Sequence, residues 1–149
     1  MGNRRRSREL AMQALFFMDV NQNISNEMVE RFCDCFNPPD RARPFFLELV
    51  GGVIGALDKL DTIIERFSKN WRISRMSPVD RNIMRIAAYE IIYCSDIPSK
   101  VTINEAIDIG KKFGTEESGA FINGIVDSIR IAHEKEDFII EIDEEIKQI

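Results

Sequence analysis

Apolar residues recur along this chain at the three-to-four-residue spacing of a helix face, and no stretch sustains the every-second-residue alternation of a half-buried strand. The first periodic segment sets Ala11, Ala14, Leu15 and Met18 on one face and closes at Asn21-Gln22-Asn23. A second helix is expected from a Ser25 cap to just before Pro38-Pro39, burying Met28, Val29, Phe32 and Phe36. Asp40 stands where it could cap a third, whose core face is Phe45, Phe46, Leu49, Val50 and Val53. Gly51, Gly52 and Gly55 each cost roughly 1 kcal/mol relative to alanine inside a helix. Two explanations stay open: close helix packing, or a break near Gly55 with Asp58 capping a new helix over Leu60, Ile63, Ile64 and Phe67.

Ser77-Pro78 is the strongest helix start in the chain, an N-cap serine followed by a first-turn proline. The helix it opens carries Ile83, Met84, Ile86, Ala87, Tyr89, Glu90, Ile91 and Ile92, apolar on nearly every side, which predicts a central, buried position. Pro98 ends that region. Thr102 is a candidate cap for the next helix, with Ile103, Ala106, Ile107 and Phe113 inward and a stop at Gly114. A last core helix is expected from Ser118 to His133 over Phe121, Ile122, Ile125, Val126 and Ile129. The pattern therefore predicts an all-α fold, a compact bundle of about seven helices, divisible into two packed sub-bundles. Residues 1–133 form the expected domain and 134–149 an acidic tail, either a helix packed on the body or a mobile arm.

Charge changes this picture more than composition does. The net charge is −5, which at first argues against a nucleic-acid partner. Residues 134–149 account for all of it, with seven acids against two lysines, and the remainder of the chain is balanced. Within that balanced body, four arginines crowd into positions 4–8, so the overall pI hides a local positive potential. The basic start is not expected to be a lipidation or secretory signal: Arg6 occupies the position where myristoylation wants Ser or Thr, and Arg8, Glu9 and Gln13 interrupt any apolar run. No segment approaches the roughly 18–20 apolar residues of a membrane span, so the chain is expected in the cytoplasm. The three cysteines, Cys33, Cys35 and Cys94, form no disulfide framework. Cys33 and Cys35 diverge by about 200° on a helix, which disfavours a shared metal, and neither metal nor cofactor is expected.

The arginine cluster is the most informative chemistry. If Asn3 caps the first helix, Arg4, Arg5 and Arg6 fill its first turn, at the positive end of the dipole, where each cation costs roughly 0.3–1 kcal/mol. An anionic partner would offset that cost, since arginines that neutralise phosphates release counterions. A solvated basic start with no partner remains the other reading. A second patch comprises Lys100, Lys111-Lys112-Phe113 and Phe121-Ile122-Asn123-Gly124. Lysines beside rings suit unpaired RNA, whose bases stack on aromatics while cations hold the backbone, although helical spacing alone also accounts for Phe113 and Phe121 as core. Asn123, if buried among its apolar neighbours, needs a hydrogen-bond partner. Catalysis finds little support: His133 is the one histidine, and Glu116-Glu117 suits a solvated loop better than an acid–base couple. The chain is not expected to be an enzyme.

The blocks Arg4 to Phe16, Asp80 to Glu90, Pro98 to Ala106, Lys111 to Gly114 and Phe121 to Asp127, in order across residues 4–130, together resemble the NusB family of bacterial transcription antitermination factors. Arg4-Arg5-Arg6-Ser7-Arg8-Glu9-Leu10-Ala11-Met12-Gln13-Ala14-Leu15-Phe16 is similar to the family's opening, and Asp80-Arg81-Asn82-Ile83-Met84-Arg85-Ile86-Ala87-Ala88-Tyr89-Glu90 to its central helix. Pro98 to Ala106, Lys111 to Gly114 and Phe121 to Asp127 resemble the two helices that follow. The resemblance implies a two-sub-bundle helical fold. It also implies binding, with the small-subunit ribosomal protein NusE, to single-stranded boxA RNA in nascent rRNA transcripts, within the RNA polymerase antitermination complex. Carried over by position, it points to Arg4, Arg5, Arg6, Phe16, Lys112, Phe113, Glu117 and Phe121 for RNA and to Asp80 for NusE. Two features depart from the family pattern: Phe16 replaces a usual tyrosine, and the acidic tail could compete with RNA for the arginines.

Two rival readings follow from the same residues. A similar module precedes the catalytic domain of some rRNA cytosine methyltransferases, and a homodimeric protein-interaction module would bury the same surface. The RNA-adaptor reading makes one structural demand: the cationic helix tip and the distant Lys/Phe segment must converge.

Overall fold

The computed structural model describes residues 2–69 and 71–135. Most of the expected acidic tail, residues 136–149, therefore lies outside the described residues. Seven α-helices and one short 3₁₀ turn follow in order among them: α1 (Gly2–Val20), α2 (Asn26–Phe36), α3 (Arg43–Gly55), α4 (Leu57–Phe67), the turn Ile73–Arg75, α5 (Pro78–Tyr93), α6 (Ser99–Phe113) and α7 (Ser118–Glu134). Helices α1–α3 pack into one sub-bundle and α4–α7 into another, and α5 lies against both α1 and α3 to join them. A single apolar core runs through both halves, with Leu15, Met18, Phe32, Phe46, Leu60, Ile64, Met84 and Ile122 enclosed. Burying a side chain of that size contributes about 1.5–3 kcal/mol.

The helix boundaries follow the local chemistry with four exceptions. Ser25 caps α2, its hydroxyl accepting from the Met28 N–H, and Ser77 caps α5 by accepting from the Asp80 N–H at 3.1 Å. Asn3 does not cap α1, which already begins at Gly2. Asp40 does not cap α3: Ala42 holds the cap position without a side-chain bond, and Pro44 fixes the first turn. The chain breaks at Ala56, so Asp58 falls inside the first turn of α4, where its charge faces the positive helix end. Pro98 is the residue before α6, and Thr102 is buried and turned to another task described below. One expected core residue is also displaced. Phe36 is 62% exposed, its ring stacked on Phe32 at 4.6 Å as a lid on the core.

Of the three glycines in and at the end of α3, only Gly52 is explained by close packing. A Cβ there would collide with the Tyr89 ring of α5, whereas Gly51 and Gly55 face open space.

Helix α5 is the axis of the molecule and is clamped by ions at both ends. In its first half Arg85, 4% exposed, donates to both oxygens of Asp61 on α4 (2.7 and 2.9 Å) and to Asp19 on α1 (3.1 Å). Arg81 and Asn82 also donate to Asp19. Burial alone would raise the Asp19 carboxyl, but these hydrogen bonds, with the charges of Arg81 and Arg85, outweigh it and hold the group below its ordinary value. Near the other end, Arg8 on α1 forms a two-pronged pair with Glu90, both bonds 2.8 Å and both side chains almost wholly buried. Thr102 of α6 donates to the same carboxylate at 2.9 Å.

Candidate nucleic-acid interface

Those clamps set the geometry of the charged surface. Residue 8 of α1 meets residue 90 of α5, and residue 19 meets residues 81–85, so α1 and α5 run antiparallel. Across the gap beside α5, Arg5 meets Glu105 and Asp108 of α6, and Glu9 meets Lys112. Pairing that advances in the same sense along both chains means that α1 and α6 lie parallel. Their facing stripes are laid out by helical spacing: Arg5 and Glu9 on one, Glu105, Asp108 and Lys112 on the other.

The result is a seam of alternating charge. Arg5 donates to Glu105 and, at 2.9 Å, to Asp108, and these two carboxylates raise its pKa further above the ordinary arginine value. Lys112 donates to Glu9 at 3.0 Å, and Arg6 approaches the same carboxylate at 3.6 Å. Arg4 leaves the seam on its other flank, lying over the Phe45 ring at 4.9 Å and reaching Asp96 at 3.8 Å. The side chains of Arg4, Arg5, Arg6 and Lys112 all keep 43–61% of their surface exposed. The cations keep this free surface while Glu9 and Glu105 are largely enclosed, so an incoming phosphate can contact a cation that its acid has already positioned. Arg8 is different: locked on Glu90, it belongs to the scaffold.

The aromatic residues border this seam. Phe16 lies three turns along α1 from Arg5, on the same stripe through Glu9 and Gln13, and is 36% exposed. Phe113 is half-buried at the end of α6, with the Lys112 ammonium 5.3 Å from its ring centre. The α6–α7 turn is tight because α7 crosses closely over α6: Gly119 sits against the Lys111 stem and Ile107. Glu117 precedes α7, exposed, accepting a hydrogen bond from the Thr115 hydroxyl at 3.2 Å. Phe121 is half-buried one turn further, and its ring meets the edge of Trp71 at 6.0 Å.

The convergence demanded by the RNA-adaptor reading is present for Arg5, Arg6, Lys112 and Phe113. Phe121 reaches the far side of the α6–α7 turn, toward Trp71, and Arg4 faces the α5–α6 connection. Asn123 is exposed and has no burial to answer for. Asp80 lies in the first turn of α5, away from the seam, with a buried Oδ1 that accepts no hydrogen bond among the described residues. Three participants escaped sequence reasoning: Glu9, Glu105 and Asp108, the acids that brace the seam. Their spacing was visible on each helix; what was not visible is which helix each stripe faces. The Cys94 thiol is pushed up to about 11 by burial and the nearby Glu48 charge, and gives no reactive thiolate. No helix among the described residues is long and apolar enough to cross a membrane.

An all-α protein of two sub-bundles, with a braced seam of alternating charge between two parallel helices, is the class this fold defines. The NusB family model matches residues 5–130, and the chain belongs to the NusB family. It is 56% identical over 137 residues to the transcription antitermination protein NusB of Desulfatibacillum aliphaticivorans, covering 92% of this chain and 96% of that one. Among solved structures it is similar to T. maritima NusB, with TM-score 0.76, 37% identity, and coverage of 85% and 89% of the two chains. It is also similar to a chain in a crystal structure of the antitermination factors NusB and NusE in complex with dsRNA. That match has TM-score 0.79, 25% identity, and coverage of 89% of this chain and 98% of that one.

Proposed function

We propose that this chain is a transcription antitermination factor that binds boxA-type single-stranded RNA of nascent rRNA transcripts together with NusE, acting in the cytoplasm by holding its partners rather than by catalysis. The observation that carries the reading is the seam: cations from α1 and α6, ninety or more residues apart in sequence, are placed side by side and exposed. Arg4, Arg5, Arg6 and Lys112 hold the phosphate backbone, while Phe16, Phe113 and Phe121 offer rings to unstacked bases. Glu117 is an exposed acceptor suited to a base amino group. Asp80, half-buried in the first turn of α5 and away from the seam, is the residue offered to NusE on a separate face. Residues 1–133 suffice as the binding module. Family membership supports the antitermination role, and the similar chain solved with NusE and dsRNA supports NusE and RNA as partners.

Filter binding of boxA-type RNA across a salt series, with and without NusE, tests it. NusE should tighten RNA binding, and Asp80→Ala should remove that gain while leaving binding by the chain alone intact. RNA affinity indifferent both to salt and to the replacement of Arg4, Arg5 and Arg6 by alanine would refute the reading.

A further inference from the structure

The segment between α4 and α5 holds the most exposed large ring on this side of the molecule. Trp71, the single tryptophan of the chain, is 52% exposed, which forgoes much of the stabilisation that burial of an indole provides. The backbone that carries it is nevertheless held in place. The Ser68 hydroxyl lies 2.7 Å from the Trp71 carbonyl and 3.0 Å from that of Glu65, and the Glu65 carboxylate accepts the Ile73 N–H at 2.8 Å. Between the indole and α7 runs an open groove of about 380 Å³, walled by Phe67, Lys69, Trp71 and Phe121, with Gly124 in its floor. A Cβ at Gly124 would meet nothing, so a flat group can approach the helix backbone there.

Charge surrounds this groove unevenly. Residues 65–75 carry Arg66, Lys69, Arg72 and Arg75 against one acid, Glu65. Lys69, Arg72 and Arg75 are exposed and, unlike the seam cations, pair with no acid among the described residues. An exposed indole on an anchored backbone, edge-on to a second ring and with unbraced cations beside it, is the arrangement that single-stranded nucleic acid uses: bases stack on the rings and phosphates follow the cations.

We infer that Trp71 and Phe121 form a second base-stacking platform, flanked by Lys69 and Arg72, that takes nucleotides flanking the boxA element after the RNA has passed the α1–α6 seam. This rests on the RNA-binding reading above and extends it, because Phe121 is common to both surfaces. The seam grips the core of the element; the platform lengthens the footprint without reading sequence, since every base presents a stackable face.

The lone tryptophan makes the test direct. The full chain is titrated with a labelled single-stranded boxA-type RNA carrying adenosine flanks, following label anisotropy and Trp71 fluorescence together. RNA should quench the tryptophan with the same midpoint as the anisotropy change. Trp71→Ala should weaken binding about five-fold or more, and Trp71→Phe should recover most of the loss. Gly124→Leu, which fills the groove but leaves the indole as reporter, should abolish quenching, with an unchanged far-UV circular dichroism spectrum establishing that the fold is kept. Tight RNA binding with an unresponsive tryptophan and an unimpaired Trp71→Ala variant overturns the platform and leaves the seam reading standing. A tryptophan that responds to NusE alone and not to RNA overturns it too, and assigns the groove to protein docking. Absence of any RNA binding sinks both readings.

Discussion

Four arginines within five positions look alike in a sequence and behave differently in the fold. Arg8 is 3% exposed and bound to a buried glutamate, whereas Arg6 keeps half of its side-chain surface and has only a long contact to Glu9. Removing one member of a buried pair leaves an uncompensated charge and costs about 3–5 kcal/mol, so Glu90→Ala should lower the thermal midpoint severely. Arg6→Ala should shift stability by no more than about 0.5 kcal/mol while weakening RNA binding. Its plot of log Kobs against log salt should flatten by about 0.7, one phosphate contact's share for a single strand. Calorimetry and salt titration on the two variants check both halves. The sequence singled out the cluster but could not separate its members, because the partner of Arg8 lies eighty-two residues away. Thr102 illustrates the same limit: it resembles a cap by position and instead donates the third hydrogen bond to Glu90.

At the scale of helices, periodicity located all seven, and the errors gathered at their ends. A cap is a choice among nearby polar residues, settled by where the preceding loop enters. That is why Ser77, backed by Pro78, was legible and Asp40, Asp58 and Asn3 were misleading. The glycines of α3 show why tertiary contact decides what propensity cannot. Gly52→Ala should destabilise by about 1–3 kcal/mol through collision with Tyr89, while Gly51→Ala, facing open space, should stabilise by up to about 1 kcal/mol. Chemical denaturation of the pair should give opposite signs; equal losses would mean α3 and α5 are not packed as described. The clamp at Asp19 adds a pH dependence. Its native pKa lies below the unfolded one, so its contribution is complete above the ordinary aspartate range, about 3.9, and disappears as pH falls through the depressed native value. The stability gap between the native chain and Asp19→Asn should therefore be constant from neutral pH to mildly acidic pH and narrow below that range. A gap that widens on acidification would reverse the sign assigned to Asp19.

For the whole molecule, what matters is that α5 orients its neighbours. Because α1 and α6 each run antiparallel to it, they lie parallel to one another, and only then do Arg5 and Lys112 reach a common surface. The sequence supplied both stripes and, through family resemblance, the expectation that they meet. It showed the spacing of the bracing acids on each helix but not which helix each stripe faces, nor Trp71 standing beside Phe121, since both depend on which helices become neighbours. The seam also suggests how the protein avoids indiscriminate binding: each of its cations already has an acid in reach, so a ligand must offer several phosphates at once to displace them. The unbraced cations near Trp71 come into play only for an RNA long enough to reach them.

The central claim is that one RNA strand touches the tip of α1 and the α6–α7 turn together, and photocrosslinking of boxA-type RNA to the full chain, with peptide mapping, tests it most directly. Crosslinks are predicted in the peptides containing Arg4–Arg6 and Phe16 and in those containing Lys112–Phe113 and Phe121, all competed away by the same unlabelled RNA. Crosslinks confined to one of these two regions, or falling on the α2–α3 side of the molecule, would contradict the account.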